Sequence, residues 1–540
     1  MKKPLFSRLL GLLLAVIMVF TLCACGSGTK EEAGSAGEGE KPAASTEEQP
    51  AGETGAAGKE TLTVAMATEP ATLNPNFHPQ GTIYPVINQI CEGLMYLNDE
   101  GTLETKLLES YEYESDTSVV FKLIEGIHFQ NGEELHASDV LFSWERCTTD
   151  PVIASTFAVI DFENSEIIDD YSFRLVLHEP YAPLLWLMTT PMFYVVSQKA
   201  VEEMGEEAFN RAPVGTGPYR FVSWESDGTI TVTKFDGYWD EDNAAVIPNI
   251  VFKVVGEAAN RTIMLQTGEV DLAYDIQASD AGIIDDDANC SMYIGTGLGI
   301  TFAGLNWQAN DNEALCDRRV RLALVKALDR QSIINVVYQG YAEVCDSYFA
   351  PTIWGYDDTY AKANYGYDPE AAKALLDEAG YGDGFELEIL VTDDATLSTI
   401  AEIMRNQWEQ IGVHATVTSL ELATFLDHYT NSDYDLMLTN LTNGVGDPDD
   451  TTNKMLTSDK QPVYKNDEVD KLFAEESVCM DIDEREQIFI ELQQVLQEDV
   501  AWIPLATPSV LTGVNNHLSN LPNASRIFRR CLSQVTWNEE

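Results

Sequence analysis

An acidic, glycine-rich segment at residues 442–450 holds the side chains of this chain that could bind a ligand most directly. Its glycines, Gly446 among them, let the backbone come close to a bound group, while Asp447 offers a carboxylate. Such a carboxylate can pair with a buried ammonium, because an unpaired buried charge is costly. Alternatively, Asp447 or Asp450 only caps a helix that begins near Thr451.

Patterns typical of enzymes and metal sites are missing from the sequence. It contains no G-x-S-x-G elbow, no H-E-x-x-H motif and no P-loop. The seven histidines are scattered, CxxC spacing does not occur, and residues 447–450 lack the glycine and glutamate that an EF-hand requires. We therefore expect a binding protein rather than an enzyme, without a metal or cofactor.

The elements before the acidic segment predict where it lies. Apolar periodicity and capping residues indicate alternating helices and strands: a helix from Asp368 to Gly380, a strand at 385–391, a helix at 400–411, a strand at 413–418, a helix at 421–429 and a strand at 434–441. This alternation predicts a parallel sheet with right-handed crossovers. Ligands bind beyond the carboxyl ends of such strands, which is where residues 442–450 follow.

A second α/β unit is predicted earlier in the chain. Residues 62–67 and 270–274 read as strands, and 260–266 as a helix. The sequence between these pieces is rich in strands, as at 119–123 and 173–177, with a short helix at 138–146. A chain that leaves one α/β unit, builds another module and returns has an insertion architecture.

The N-terminus indicates export. A basic start precedes the uncharged run Leu9–Leu22, and Leu-Cys-Ala-Cys-Gly at 22–26 resembles a bacterial lipobox. The resemblance implies a signal peptide at 1–24, acylation of Cys25, and a flexible tether of small and polar residues at 25–60. Ordinary cleavage near Ala24, leaving a free thiol, is the alternative. Later in the chain, no apolar run predicts a membrane helix.

The net charge limits the kinds of partner that the protein can bind, and the cysteine count limits its disulfide pairing. The formal net charge is −56, and nearly all of it lies after residue 60. This acidity argues against nucleic acid and against anionic lipid surfaces. It fits either solubility outside the cell or a preference for cationic ligands. Seven cysteines follow Cys25, an odd number, so we expect at least one free or intermolecularly paired thiol.

Several sequence blocks, in order, resemble the extracellular solute-binding proteins of family 5, which include the oligopeptide- and dipeptide-binding lipoproteins of ABC importers. The resemblance runs from Thr61 to about Leu521. It is carried by Leu107-Leu108-Glu109-Ser110-Tyr111, Gly126-Ile127-His128-Phe129, Pro213-Val214-Gly215-Thr216-Gly217-Pro218-Tyr219, Tyr238-Trp239, Gly268-Glu269-Val270-Asp271 and Arg319-Val320-Arg321-Leu322-Ala323-Leu324.

The resemblance implies an α/β, two-lobed periplasmic-binding-protein-like fold, with an extra module on lobe one and a hinge between the lobes. Lobe one is expected at 61–106, 214–305 and 508–540, the inserted module at 107–213, and lobe two at 306–507. The segments that cross between the lobes are expected near 302–307 and 505–511.

The resemblance also implies binding residues. Asp447, beside Gly446, corresponds to an aspartate that receives a peptide's α-ammonium in relatives. Positions that bind peptide backbone correspond to Tyr274 and Asp275, although many relatives carry amides there. Residues from Glu69 to Leu73 are expected to line the cleft. Phe302 and Trp307 are expected either to contact the ligand or simply to pack at the hinge. Phe157 is expected to bring an aromatic contact from the inserted module.

The implied function is capture of extracellular oligopeptides or dipeptides by closure of the lobes, for ATP-driven import. The implied partners are a peptide and the permease and ATPase of an ABC importer, with a monomer tethered to the outer face of the cell membrane. Alternatives within the class are a nickel complex, an oligosaccharide, a haem-like solute or a peptide pheromone. A secreted hydrolase is an alternative from another class.

Overall fold

The computed structural model describes residues 59–77, 81–308, 312–450, 456–458 and 463–538. Cys25, the predicted signal peptide and nearly all of the predicted tether lie outside these ranges. Among the described residues, no helix combines the length and the apolar character that crossing a membrane requires.

The strands and α-helices of the described ranges are numbered in chain order. The strands are β1 (Thr61–Met66), β2 (Met95–Leu97), β3 (Leu103–Thr105), β4 (Leu108–Ser115), β5 (Ser118–Leu123), β6 (Glu166–Asp169), β7 (Ser172–Val176), β8 (Tyr219–Trp224), β9 (Ile230–Lys234), β10 (Asn249–Val254), β11 (Leu272–Ala273), β12 (Cys290–Gly295), β13 (Gly299–Leu305), β14 (Ala342–Val344), β15 (Phe385–Thr392), β16 (Val413–Leu420), β17 (Leu436–Thr442), β18 (Trp502–Pro508), β19 (Val510–Asn515), β20 (Leu518–Ser519) and β21 (Thr536–Trp537). The helices are α1 (Tyr84–Ile90), α2 (Ala137–Glu145), α3 (Ala154–Phe157), α4 (Leu184–Leu187), α5 (Gln198–Met204), α6 (Glu206–Phe209), α7 (Ala258–Gln266), α8 (Ala278–Asp285), α9 (Arg318–Lys326), α10 (Arg330–Val337), α11 (Thr359–Asn364), α12 (Pro369–Ala379), α13 (Ala395–Glu409), α14 (Leu422–Asn431), α15 (Asp467–Val478) and α16 (Ile482–Asp499).

The first lobe is built on a large sheet with strand order β12-β19-β11-β1-β10-β9-β8. Its central strand β1 runs parallel to both β10 and β11, and the remaining pairs are antiparallel. Leu62 and Val64 of β1 are fully buried in the core, as expected for a strand covered on its faces. The predicted strands at 62–67 and 270–274 and the helix between them are confirmed as β1, β11 and α7, with β11 shorter than predicted.

A small antiparallel sheet, β4-β5-β7-β6, is inserted in the chain between β1 and β8. Phe121 and Phe173, on neighbouring strands, stack at a ring separation of 5.2 Å and are fully buried. Trp144 of α2 packs edge-on against Phe173. Such aromatic pairs bury large apolar areas, so this inserted sheet has a hydrophobic core of its own.

The second lobe contains the sheet β14-β18-β13-β17-β15-β16, in which β15 runs parallel to both β16 and β17. The predicted alternation of helices and strands over 367–450 and its parallel pairing are therefore confirmed. The Asp368 side chain accepts a hydrogen bond from the Ala371 N–H at 2.9 Å and caps α12, and Gly380 ends that helix in the left-handed region.

Two short links join the large sheet to the sheet of the second lobe. One is residues 296–298, between β12 and β13, and the other is Ser509, between β18 and β19. On one side β12 pairs with β19, and on the other β13 pairs with β18, so two antiparallel strands cross side by side. The first link lies earlier than the expected 302–307, because Phe302 already belongs to β13.

Candidate functional site

Four cavities surround a short C-terminal segment, residues 524–531, at the junction of the lobes. The central cavity, of about 390 Å³, lies within the first lobe. A gap of about 60 Å³ separates the lobes beside it, and a hinge cavity of about 240 Å³ lies at the two links. An outer groove of about 780 Å³ runs between the small sheet and the second lobe. This junction is the candidate binding site.

The gap between the lobes has an aromatic and basic lining. Its lining residues are Tyr84, Tyr96, Leu97, Thr189 and Tyr194 of the first lobe, Gly444 of the second, and Arg526 and Arg530 of the C-terminal segment. The Tyr194 hydroxyl donates to Asn88 Oδ1 at 2.9 Å, and the Tyr96 hydroxyl donates to Glu104 Oε2 at 2.5 Å, so both rings are held in place. Tyr96, Tyr194 and Arg530 also line the central cavity, and the two spaces therefore adjoin.

Arg530 lies where the gap meets the central cavity. Its side chain is 16% exposed, and Nη2 lies 3.4 Å from Asp99 Oδ1. Despite this distance, neither Nε nor Nη2 forms a hydrogen bond. Burial lowers the pKa of Arg530 from its usual value, yet a guanidinium keeps its proton at neutral pH. A charged group with unused donors therefore faces both spaces.

The central cavity also contains a carboxylate whose oxygens are fully engaged. Glu92 Oε2 accepts hydrogen bonds from the Thr216 hydroxyl at 2.9 Å and from Trp239 Nε1 at 3.0 Å. Its Oε1 accepts from the Tyr238 hydroxyl at 2.7 Å and lies 3.4 Å from Lys106 Nζ. Because its charge is already neutralised and hydrogen-bonded, Glu92 has a structural role in the wall of the cavity.

The block at 213–219 places Thr216 beside Glu92 through close packing of glycines. A Cβ on Gly215 would lie 2.4 Å from the Ile90 carbonyl oxygen, and a Cβ on Gly217 would also collide with the backbone of α1. Only glycine permits this approach.

The lobes contact each other along the outer groove. Gly446, in the left-handed region at φ 87°, lies against Leu97 and Trp186 of the first lobe. The Trp186 ring stacks on Trp354 of the second lobe at 5.9 Å. Val445 is buried in the core of the small sheet. The loop after β17 therefore seals one side of the junction, and Gly446 lines the outer groove. Contact of Gly446 with a ligand stays a prediction.

Asp447 has a different environment from the predicted one. Arg485 donates from Nη1 to Asp447 Oδ2 at 2.5 Å and from Nη2 to Oδ1 at 2.8 Å. The same guanidinium donates to Glu476 Oε2 at 2.9 Å, and all three side chains are buried. Asp447 lines none of the four cavities, and an ammonium would have to displace Arg485. Amine capture by Asp447 stays a prediction that this geometry does not favour.

The predicted binding residues of the first lobe are dispersed. Leu73 is fully buried in the core of the large sheet, and Tyr274 is buried there too. Asp275 is exposed and takes a positive φ of 55°. Glu69 is exposed, and its Oε1 accepts a hydrogen bond from Trp224 Nε1 at 2.8 Å. None of these four residues lines the cavities above, so their contact with a solute stays a prediction.

The three predicted aromatic contacts lie in packed surroundings. Phe302 is fully buried and stacks on Trp502 at 4.2 Å, in the core of the second lobe. Trp307 meets Tyr464 edge-on at 4.5 Å. Phe157 is fully buried in the core of the small sheet. Of the two roles left open for Phe302 and Trp307, this geometry favours packing.

Sequence reasoning missed the residues that line the gap. The family resemblance ends near Leu521, before Arg526 and Arg530. One signal was available: basic residues cluster at Arg526, Arg529 and Arg530 in a chain with 32 basic against 88 acidic residues. In such an acidic chain, a cluster of basic residues near the C-terminus indicates a site where positive charge has a specific role.

Cysteines and metals add no further site in the described residues. All seven cysteines there are free thiols, and burial raises the pKa of Cys91, Cys147, Cys345 and Cys531. No group of histidine, cysteine and acidic side chains in the described ranges has the arrangement of a metal site.

Comparison with known proteins gives a consistent result. The family described as bacterial extracellular solute-binding proteins, family 5 middle, matches residues 102–462. The glutathione-binding protein GsiB of Escherichia coli (strain K12) is 25% identical over 473 residues, which cover 85% of this chain and 91% of that protein.

Two solved structures share the fold. HbpA2 from Haemophilus parasuis superimposes with a TM-score of 0.79 at 24% identity, covering 88% of this chain and 100% of that one. The periplasmic binding protein DppA from Helicobacter pylori, in complex with the peptide STSA, gives a TM-score of 0.75 at 23% identity, covering 89% and 98%. The predicted two-lobed fold is therefore confirmed.

Proposed function

Because the chain belongs to the family 5 bacterial extracellular solute-binding proteins, we propose that it captures a short peptide between its lobes and delivers it to an ATP-driven importer. The role is binding rather than catalysis. The observation that carries the proposal is the set of adjoining cavities at the junction of two lobes joined by two short links.

The two links supply the motion that binding needs. Hinge bending about residues 296–298 and Ser509 would open the gap and the outer groove without disturbing either sheet. The lobe contacts of Gly446 and Trp186 would then re-form over a bound solute. A solute that contacts both lobes stabilises the closed arrangement, which an importer can distinguish from the open one.

A peptide is the solute that the comparisons support best. One structural neighbour was solved with the peptide STSA, and the curated relative is named for glutathione, itself a tripeptide. The central cavity, at about 390 Å³, is within the range of small-ligand sites. Its mixture of tyrosine and amide side chains can hydrogen-bond a peptide backbone.

We also propose an anchor and partners. Cys25, acylated after removal of residues 1–24, would hold a monomer on the outer face of the cell membrane through the tether at 25–60. The permease and ATPase of an ABC importer would be its protein partners. Cys25→Ala should yield a processed, released protein or an unprocessed precursor, whereas a processed variant that stays on the membrane would contradict the anchor.

Native mass spectrometry of protein purified from its host tests the solute class. A ladder of peptide masses on the folded protein supports peptide capture, while a single non-peptide mass would replace the peptide with a dedicated solute. Protein unfolded, washed and refolded is the matched control, since it should have lost these masses and regain them from a peptide mixture.

A further inference from the structure

We propose that Arg530 recognises a carboxylate of the captured solute in the gap between the lobes, so that the protein selects solutes with an anionic group. The inference deepens the proposed function and rests on it for the location of the solute. It is independent of whether that solute is a peptide.

The first argument is the unsatisfied state of Arg530. A buried polar group without a hydrogen bond is costly, and such groups in a native protein call for an explanation. Nε and Nη2 of Arg530 form no hydrogen bond, although the side chain is 16% exposed. Its ion-pair partner Asp99 is 59% exposed and lines the central cavity, but it does not line the gap.

Other buried arginines of the described chain provide the contrast. Arg261 donates to the carbonyl oxygens of residues 255, 256, 274 and 275. Arg321 donates to those of residues 315, 316 and 499. Arg485 is held by Asp447 and Glu476. The fold thus satisfies these three arginines from within, whereas Arg146 has one nitrogen without a hydrogen bond and Arg530 has two. Of these two, Arg530 lines the cavities at the junction.

The second argument is the lining of the gap. Arg526 and Arg530 are its charged lining residues, and no acidic side chain is among the lining residues that the structure describes. The gap holds about 60 Å³, room for a few water molecules or for one carboxylate. A guanidinium and a carboxylate form short, charge-assisted and often bidentate hydrogen bonds.

The third argument is that the gap is connected to the central cavity. Tyr96, Tyr194 and Arg530 line both the gap and the central cavity, so a solute in the larger space can extend an anionic end into the smaller one. Gly444 of the second lobe forms part of the same lining, which places the carboxylate where the lobes meet. The net charge of −56 repels anions at long range, so the preference for an anionic solute must arise from contacts within the gap.

Calorimetric titration of refolded, solute-free protein tests the inference. The first probes are mixtures of tripeptides with uncharged side chains, as free acids and as C-terminal amides. The second are tripeptides that contain one aspartate or glutamate, again as acids and as amides. The third are the organic acids succinate and citrate. These arms separate a terminal carboxylate, a side-chain carboxylate and a non-peptide acid. Arg530→Gln removes the charge, Arg530→Lys keeps it, and Arg220→Gln, at an exposed arginine of β8, is the matched control.

We expect the wild type to bind at least one carboxylate-bearing probe about 10- to 100-fold more tightly than its neutral counterpart. Arg530→Gln should remove that preference, Arg530→Lys should retain part of it, and Arg220→Gln should keep all of it. The inference is overturned if the wild type binds every carboxylate-bearing probe no more tightly than its neutral counterpart, or if no probe shows Arg530-dependent binding. Arg530-dependent binding of succinate or citrate without any tripeptide would overturn peptide capture alone.

Discussion

At the scale of single residues, the pairing of Arg485 decides what Asp447 can do. A carboxylate at the end of a strand is free to bind a ligand only if the fold leaves it unpaired. Here Arg485 occupies both oxygens of Asp447 and also contacts Glu476. One guanidinium thus faces two buried carboxyl groups, and these three side chains form a structural unit of the second lobe.

Asp447→Asn therefore tests a structural role. Removing one partner of a buried ion pair costs about 3–5 kcal/mol, and we expect the lower end because Glu476 still accepts hydrogen bonds from Arg485. Chemical unfolding should show this loss, with affinity for a peptide mixture within about threefold of the wild type, a factor that corresponds to under 1 kcal/mol. Asp433→Asn, at an exposed position of the same lobe, is the control. Retained stability with a large loss of affinity would instead restore amine capture.

Glu476 should give stability a pH dependence. Burial and then the charge of Asp449 raise the pKa of Glu476 well above its usual value, although Arg485 opposes this. The folded protein then holds a proton that the unfolded chain releases at a pKa of about 4.3. This contribution to stability is complete below that pH and is lost as pH rises through the folded pKa.

The measurement compares unfolding free energies of the wild type and Glu476→Gln from pH 4 upward. Glutamine cannot ionise, so the wild type should lose stability relative to the variant as pH increases. Asp447, Asp449, Arg485 and Tyr181 are the other ionisable groups around this site. A difference between the two proteins that does not change with pH would show that Glu476 keeps an ordinary pKa.

At the scale of elements, the loop after β17 connects the sheet of the second lobe to the surface of the first. Gly446→Ala should weaken solute binding, because the added Cβ would lie 2.8 Å from Leu97 Cδ1 and hold the lobes apart. We expect at least a tenfold loss of affinity for a peptide mixture, equal to about 1.4 kcal/mol, measured by calorimetry.

The control for this variant is Gly380→Ala. Gly380 has nearly the same φ, 90° against 87°, but an added Cβ there meets nothing within 4 Å. Both substitutions place alanine in the left-handed region at a cost of about 1–2 kcal/mol, so they should lower stability similarly. If the two variants also bind alike, closure does not depend on the Gly446 contact.

At the scale of the whole molecule, two links and the facing lobes make solute binding a stabilising event. A solute that binds only the folded protein adds about 2.7 kcal/mol at 100 times its dissociation constant. We expect refolded, solute-free protein to melt at a higher temperature in a saturating peptide mixture. A melting curve that no peptide mixture moves, on protein verified to be solute-free, would count against peptide capture.

Much of the architecture could be predicted from the sequence, because its signals are local. Asp368 and Gly380 bound α12 through contacts with residues a few positions away, and the apolar periods of 385–441 predict each strand and helix there. The order of these elements implies parallel pairing, and the sequence blocks point to the family. The glycines at 215 and 217 were recognisable as a motif, although not as the close approach to α1 that explains them.

The sequence by itself determined the acidic character and the α/β elements, since composition and local periodicity suffice for these. The two-lobed fold was implied by the resemblance of its sequence blocks to family 5. Only the tertiary structure decided which charges are paired. Asp447 meets Arg485 from a different element, and Arg530 reaches the gap from the C-terminal end of the chain. Whether such a charge is satisfied or left available for a solute depends on contacts between segments distant in sequence, which no local pattern encodes.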